Sequence, residues 1–110
     1  MTTVRTVTDE SFAAEVENTP DPRPVLVEFG APWCPPCRQL RPVLAALAVE
    51  EADRLRVVEI DNDTDPAAAI HYGVMAVPTL MLFRAGQPVA TWVGGRTKRR
   101  LLADLEEHLR

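Results

Sequence analysis

Apolar residues in this chain fall into two kinds of run, and the two kinds alternate. Dense runs, "VLVEF" at 25–29, "LRVVEI" at 55–60 and "TLMLF" at 79–83, read as strands, the first of them covered on both faces. Other apolar residues recur every three or four positions, as helices require: Phe12 and Val16; Leu40, Val43, Leu44, Leu47 and Ala48; Leu101, Leu102, Leu105 and Leu109. The first helix is predicted within 8–18, capped by Thr8 or Asp9. The second is predicted from Cys34 to about Ala52, with a kink at Pro42. A third has Asp65 as its cap, Pro66 at the first helical position and Gly73 as its stop. Thr97 caps the last. Residues 3–7 are short and β-prone, and "RAGQ" at 84–87 reads as a hairpin turn into the strand "PVATWV", which "GG" ends. The order βαβαβαββα predicts one three-layer α/β domain over residues 1–110. Its first strands are parallel and its last two form a hairpin.

Composition adds bounds. A chain of 110 residues is the size of one domain, and 46% hydrophobic residues support a core without staples or metals. The net charge is −4, with both signs mixed along the chain. The exception is "RTKRR" at 96–100. It carries no aromatic residue and the overall balance is acidic, so a solvated helix start is expected there rather than a nucleic-acid patch. No apolar run approaches the roughly 20 residues of a membrane span. The N-terminal "MTTVRTVTDE" lacks the apolar core of a signal peptide, so a cytoplasmic chain is expected. Cytosolic thiols are kept reduced. A lone cysteine pair there is redox-catalytic or metal-binding more often than a permanent staple.

That pair lies in "FGAPWCPPC", Cys34 and Cys37 with two prolines between them. Zinc needs four ligands, and the other soft candidates, His71 and His108, are far apart in predicted helices. A c-type haem needs histidine directly after the second cysteine, where Arg38 stands. A structural disulfide would close a trivial loop. Dithiol–disulfide exchange is the leading reading, with the others weaker. At a helix N-terminus Cys34 faces orphan N–H groups and the positive end of the helix dipole, which favours its thiolate. Pro35 and Pro36 sacrifice no helical hydrogen bond there. Because Pro35 precedes a proline, the helix is expected to begin in earnest at Pro36 or Cys37. The two prolines also leave Cys37 N–H as the nearest backbone donor to Cys34. They should stiffen the loop in both redox states, which favours the oxidised pair.

A C-x-x-C at the end of a buried strand and the start of a helix is a thioredoxin-like redox motif. With "VEFGAPWCPPC", the proline at 42, "YGVMAVPTLMLF", "RAGQ" and "VGG" in order, nearly the whole chain resembles the thioredoxin family as a WCPPC variant. The resemblance implies a thioredoxin fold, a central mixed sheet flanked by helices on both faces. It implies a protein disulfide reductase working through reversible Cys34–Cys37 exchange. Cys34 would be the nucleophile, and Cys37, more buried, would resolve the mixed disulfide. Pro78 would be a cis-proline opposite the cysteines, with the backbone of Val77 pairing an extended substrate segment. Trp33, Met75, Ala76, Val77, Val93, Gly94 and Gly95 would form the apolar groove.

The implied electron source is NADPH through a thioredoxin reductase, with disulfide-containing proteins as substrates. No bound cofactor or metal is implied, and no nucleic acid or membrane partner. A monomer is the default. A disulfide oxidase or isomerase on the same fold, or a non-catalytic binding module, are the alternatives.

Four positions depart from the family pattern. Glu28 interrupts a buried strand where the family usually has an aspartate that exchanges protons with the buried cysteine. Unpaired, such a carboxylate costs several kcal/mol. Glu59 stands where a lysine is common. If both carboxylates face one cavity, the Glu28 pKa should rise; Glu59 bending out to solvent is the equal alternative. Gly30 replaces a common aromatic residue, and Asn62 occupies a position that is often apolar. Both bear on substrate preference.

Overall fold

The computed structural model describes residues 4–110. Five strands form one sheet in the order β1-β3-β2-β4-β5. They are β1 (Arg5–Thr6), β2 (Val25–Gly30), β3 (Arg56–Asp61), β4 (Thr79–Arg84) and β5 (Gln87–Val93). β1, β3 and β2 run parallel, while β4 and β5 join antiparallel. The helices are α1 (Pro35–Glu50), α2 (Ala67–His71) and α3 (Lys98–Leu109). This is the βαβαβαββα order and the thioredoxin fold that the sequence implied.

Alternation along the strands sorts side chains onto two faces. Val25, Val27 and Phe29 of β2, with Val58 and Ile60 of β3, join Phe12, Val16, Ala68 and Ala69 on one face. Leu26 of β2 and Val57 of β3 join Leu40, Leu44 and Leu47 of α1 and Leu101 and Leu105 of α3 on the other. Glu28 and Glu59 belong by parity to this second face, the one α1 covers. They are register partners, and one rung of the sheet runs Thr6, Glu59, Glu28, Leu80, Trp92.

Several local expectations change. The first strand is two residues long rather than five, and residue 3 of that expectation lies outside the described residues. Val7 N–H still reaches the Glu59 carbonyl at 2.8 Å. The first helix shrinks to a wide turn over Ala13–Glu17, closed by Asn18 N–H on the Ala13 carbonyl, five residues back, at 2.7 Å. Thr8 does precede it, accepting Phe12 N–H on its carbonyl at 2.9 Å. Asp9 does not cap that turn. Its carboxylate accepts Ala67 N–H and Ala68 N–H at 3.1 and 3.3 Å, capping α2 from across the fold. Asp65, expected to cap α2, instead accepts Asp9 N–H at 2.8 Å. Two aspartates thus pin the first turn to α2, which starts one residue later than predicted because Pro66 precedes it.

Helix α1 begins at Pro35, not at Pro36 or Cys37. The N-cap residue absorbs the change of direction: Cys34 is extended, with φ −88° and ψ 111°. The missing N–H groups of both prolines fall where no helical partner exists. The helix runs through Pro42 to Glu50, two residues short of the expected end. Ala85 and Gly86, both at positive φ, make the tight turn of the β4–β5 hairpin. Thr97 caps α3, its side chain accepting Arg100 N–H at 3.2 Å.

Acids answer most of the basic run. Arg96 and Arg100 pair with Asp104, and Lys98 pairs with Glu50 at 2.9 Å. Among the described residues no helix is long and apolar enough to cross a membrane.

Candidate active site

A disulfide joins Cys34 and Cys37 at the N-terminus of α1. Cys37 N–H donates to Cys34 Sγ at 3.2 Å, so Cys34 caps the helix with its sulfur. This is the backbone donor that the two prolines left available. Arg38 N–H bonds the Cys34 carbonyl, and the Arg38 guanidinium bonds the Pro32 carbonyl at 3.0 Å, bracing the loop from both sides.

The expected difference in burial between the cysteines is absent. Cys34 is 2% exposed and Cys37 4%. Once bonded, each sulfur covers the other, and both pack with Ala31 and Val77. What separates them is their surroundings. Cys37 lines a cavity of about 190 Å³, whereas Cys34 does not.

Of the residues expected to form the apolar groove, Val77 packs against the pair. Trp33, Met75 and Val93 are strongly exposed, Met75 almost wholly at 97%. Ala76 is exposed, and Gly94 and Gly95 lie at the end of β5. The Val77–Pro78 peptide is cis. Gly94 N–H donates to the Pro78 carbonyl at 2.8 Å, and the Thr79 hydroxyl donates to the Ala76 carbonyl at 2.7 Å. These bonds tie the glycine loop to the segment that carries Pro78. The Trp33 indole N–H donates to Asp63 Oδ2 at 2.5 Å, which fixes the ring while most of it stays open to solvent. Sequence reasoning missed Asp63, because only the β3–α2 turn brings it to residue 33. Asn62 N–H holds the Gly30 carbonyl at 2.9 Å, which makes it a brace for this loop.

The cavity beside Cys37 is lined by Glu28, Gly30, Arg41, Glu59 and Asp61, with Thr6 at its edge on β1. Both carboxylates therefore face it, and Glu59 does not bend away. The Thr6 hydroxyl donates to Glu59 Oε1 at 3.2 Å. Glu28 is 5% exposed, and its Oε2 has no hydrogen-bond partner among the described residues. Burial pushes its carboxyl up from the ordinary 4.5 to about 7. Glu59 adds to the rise, and Arg41 opposes it. Arg41 was not anticipated either. It sits four residues after Cys37, hence on the same helical face, and that spacing was the available signal.

Gly30 explains how the longer acid fits. A Cβ at position 30 would lie 2.1 Å from Glu28 Oε2 and 2.9 Å from its carboxyl carbon. The Glu28 carboxyl group occupies the space a side chain at 30 would need, so the two departures from the family pattern are one. We expect Gly30→Ala to fold, since the displaced group is the end of a flexible side chain, but to move the carboxyl group and slow disulfide exchange. Adding Glu28→Asp, one methylene shorter, should recover rate. Strictly additive rates in this double-mutant cycle would refute the pairing.

Comparison with known proteins decides the family. Residues 3–107 match the family described as Thioredoxin. The chain belongs to the thioredoxin family. It is 42% identical over 109 residues to Thioredoxin 1 of Synechococcus elongatus, covering 99% of this chain and 100% of that one. It is 46% identical over 101 residues to Thioredoxin of Mycobacterium bovis, covering 92% and 85%. A protein of Mycobacterium leprae, the bifunctional thioredoxin reductase/thioredoxin, is 45% identical over 101 residues, which are 92% of this chain and 22% of that one. The family's activity is thiol–disulfide exchange, and Cys34–Cys37 is the redox-active disulfide of this member.

Proposed function

We propose that this protein is a general protein disulfide reductase in which Cys34 attacks, Cys37 resolves and Glu28 accepts the Cys37 proton. The observation that carries the reading is the disulfide at the cap of α1, with Cys37 N–H on Cys34 Sγ. The same donor and the helix dipole would stabilise a Cys34 thiolate. In the reduced protein that thiolate attacks a substrate disulfide, forming a mixed disulfide and releasing one substrate thiolate, which takes a proton from water. Cys37 then gives its proton to the Glu28 carboxylate across the cavity they share. Its thiolate attacks Cys34 Sγ, closing the Cys34–Cys37 bond and releasing the second substrate thiolate. Two electrons pass to the substrate, and no bound cofactor is needed.

The substrate segment would lie on Trp33, Met75, Ala76, Val77, Val93, Gly94 and Gly95, with the Val77 backbone pairing an extended strand beside Pro78. Pro35 and Pro36 hold the loop that sets the redox poise. Two electrons from NADPH, delivered by a thioredoxin reductase, would restore the dithiol. The Mycobacterium leprae relative, whose name joins the two activities, supports that partner.

The test is reduction of insulin disulfides with NADPH and a bacterial thioredoxin reductase. The wild-type chain should turn over, and Cys34→Ser should not. No turnover by either protein would leave only a binding module, and equal turnover by both would refute Cys34 as the nucleophile.

A further inference from the structure

The cavity beside Cys37 collects charge from three elements. β2 supplies Glu28, β3 supplies Glu59 and Asp61, and α1 supplies Arg41 along with Cys37; Thr6 of β1 is uncharged. Arg41 is the single cation among these lining residues, facing three carboxylates. Glu59 is already held by Thr6. The Arg41 side chain makes no hydrogen bond or ion pair with the other described residues, so its guanidinium is uncommitted at the exposed edge of the cavity. Glu28 Oε2, buried and unpaired, lies within the same walls.

Geometry makes this placement useful. Residues four apart on a helix are neighbours on one face, so the helix that carries the resolving cysteine also carries the cation. The parallel register sets Glu59 beside Glu28, where its carboxylate opposes ionisation of Glu28. Ionised Glu28 is therefore repelled from the sheet and attracted from the helix. Removing either neighbour should act on it in opposite directions.

We propose that Arg41 is a positioning residue for disulfide exchange, stabilising the ionised Glu28 carboxylate against the repulsion of Glu59 in the cavity they share with Cys37. The inference rests on the reading of Glu28 as the proton acceptor of Cys37. It goes beyond that reading by assigning the cation to α1.

Two readouts test it. The first is the carboxyl ¹³C titration of Glu28 in the oxidised protein, for the wild type, Arg41→Gln, Arg41→Lys and Glu59→Gln. The second is the pH profile of mixed-disulfide resolution in the same proteins and in Glu28→Gln. Arg41→Gln should move the Glu28 midpoint to higher pH, Glu59→Gln should move it lower, and Arg41→Lys should stay near the wild type. The resolution profile of Arg41→Gln should follow its midpoint, slower at neutral pH and recovering in alkaline buffer. Salt should shrink the Arg41 effect, because that side chain is exposed.

An Arg41→Gln midpoint that does not move overturns the proposal. So does a midpoint that moves while the rate profile stays in place. If instead Glu28→Gln resolves as fast as the wild type at every pH, the failure lies in the role given to Glu28, and the Arg41 titration tells the two failures apart.

Discussion

Cys37→Ser is expected to abolish turnover while leaving the protein able to form a covalent complex with its substrate. Cys34 keeps its place as the cap of α1, and the donor it uses is the backbone N–H of residue 37, which serine also supplies. The first attack therefore survives. The serine hydroxyl is far too weak an acid to ionise and displace the substrate sulfur, so the mixed disulfide accumulates. Mass spectrometry after incubation of the reduced variant with a disulfide protein should show a one-to-one adduct, released by dithiothreitol. Cys34→Ser should give none. An adduct with Cys34→Ser and none with Cys37→Ser would reverse the two roles. The assignment cannot be made on burial, since both cysteines are buried in the oxidised form. It rests on the sulfur–amide bond of Cys34 and on the shared cavity of Cys37 and Glu28.

The second large effect concerns stability. Glu28 ionises near 4.5 in an unfolded chain and at about 7 in the fold. Between those values the native state holds a proton that the unfolded state has released. Stability from this group is therefore fully present below pH 4.5, falls as pH rises through 7 and is lost above it. The difference between about 7 and 4.5 corresponds to roughly 3–4 kcal/mol at ~1.4 kcal/mol per pH unit. That is a large part of the roughly 5–15 kcal/mol that holds a domain together. Glu28→Gln keeps the size of the side chain, and so its fit against Gly30, but cannot ionise. Urea unfolding of the oxidised proteins at pH 5 and pH 8.5 should show the wild type losing roughly 2–3 kcal/mol more than Glu28→Gln. Parallel losses would mean that Glu28 ionises freely in the fold.

The two results together describe a trade. A buried acid without a hydrogen-bond partner on Oε2 costs stability in its charged form, yet that environment brings its proton affinity near neutral pH, where a thiol must be deprotonated. A fully paired carboxylate would be cheaper to bury but a weaker base.

Much of the frame was legible in the residues because it depends on local physics. Dense apolar runs, three- and four-residue spacings, Thr97 as a cap and "RAGQ" as a turn each act within a few positions of the chain. The cysteines at a strand-to-helix junction, with a proline-bearing segment and a glycine pair downstream, already described a redox site. The expectations that moved were those where a distant partner competes with a local one. Asp9 and Asp65 are both competent caps for their own segments, but in the fold they bond across 56 residues of chain. Pro35 enters the helix because the extended Cys34 takes the change of direction one residue earlier.

By itself, then, the sequence determined the element order, the family and the chemistry of the pair, since each is carried by periodicity or by a motif a few residues long. Only the tertiary structure decided what surrounds the buried acid. Sheet register put Glu59 against Glu28, one turn of helix brought Arg41 to the same cavity, and the missing side chain of Gly30 left room for a carboxyl group one methylene longer. Side-chain direction in a strand reverses at every residue and register depends on the partner strand, so no local pattern reveals which groups will share a cavity.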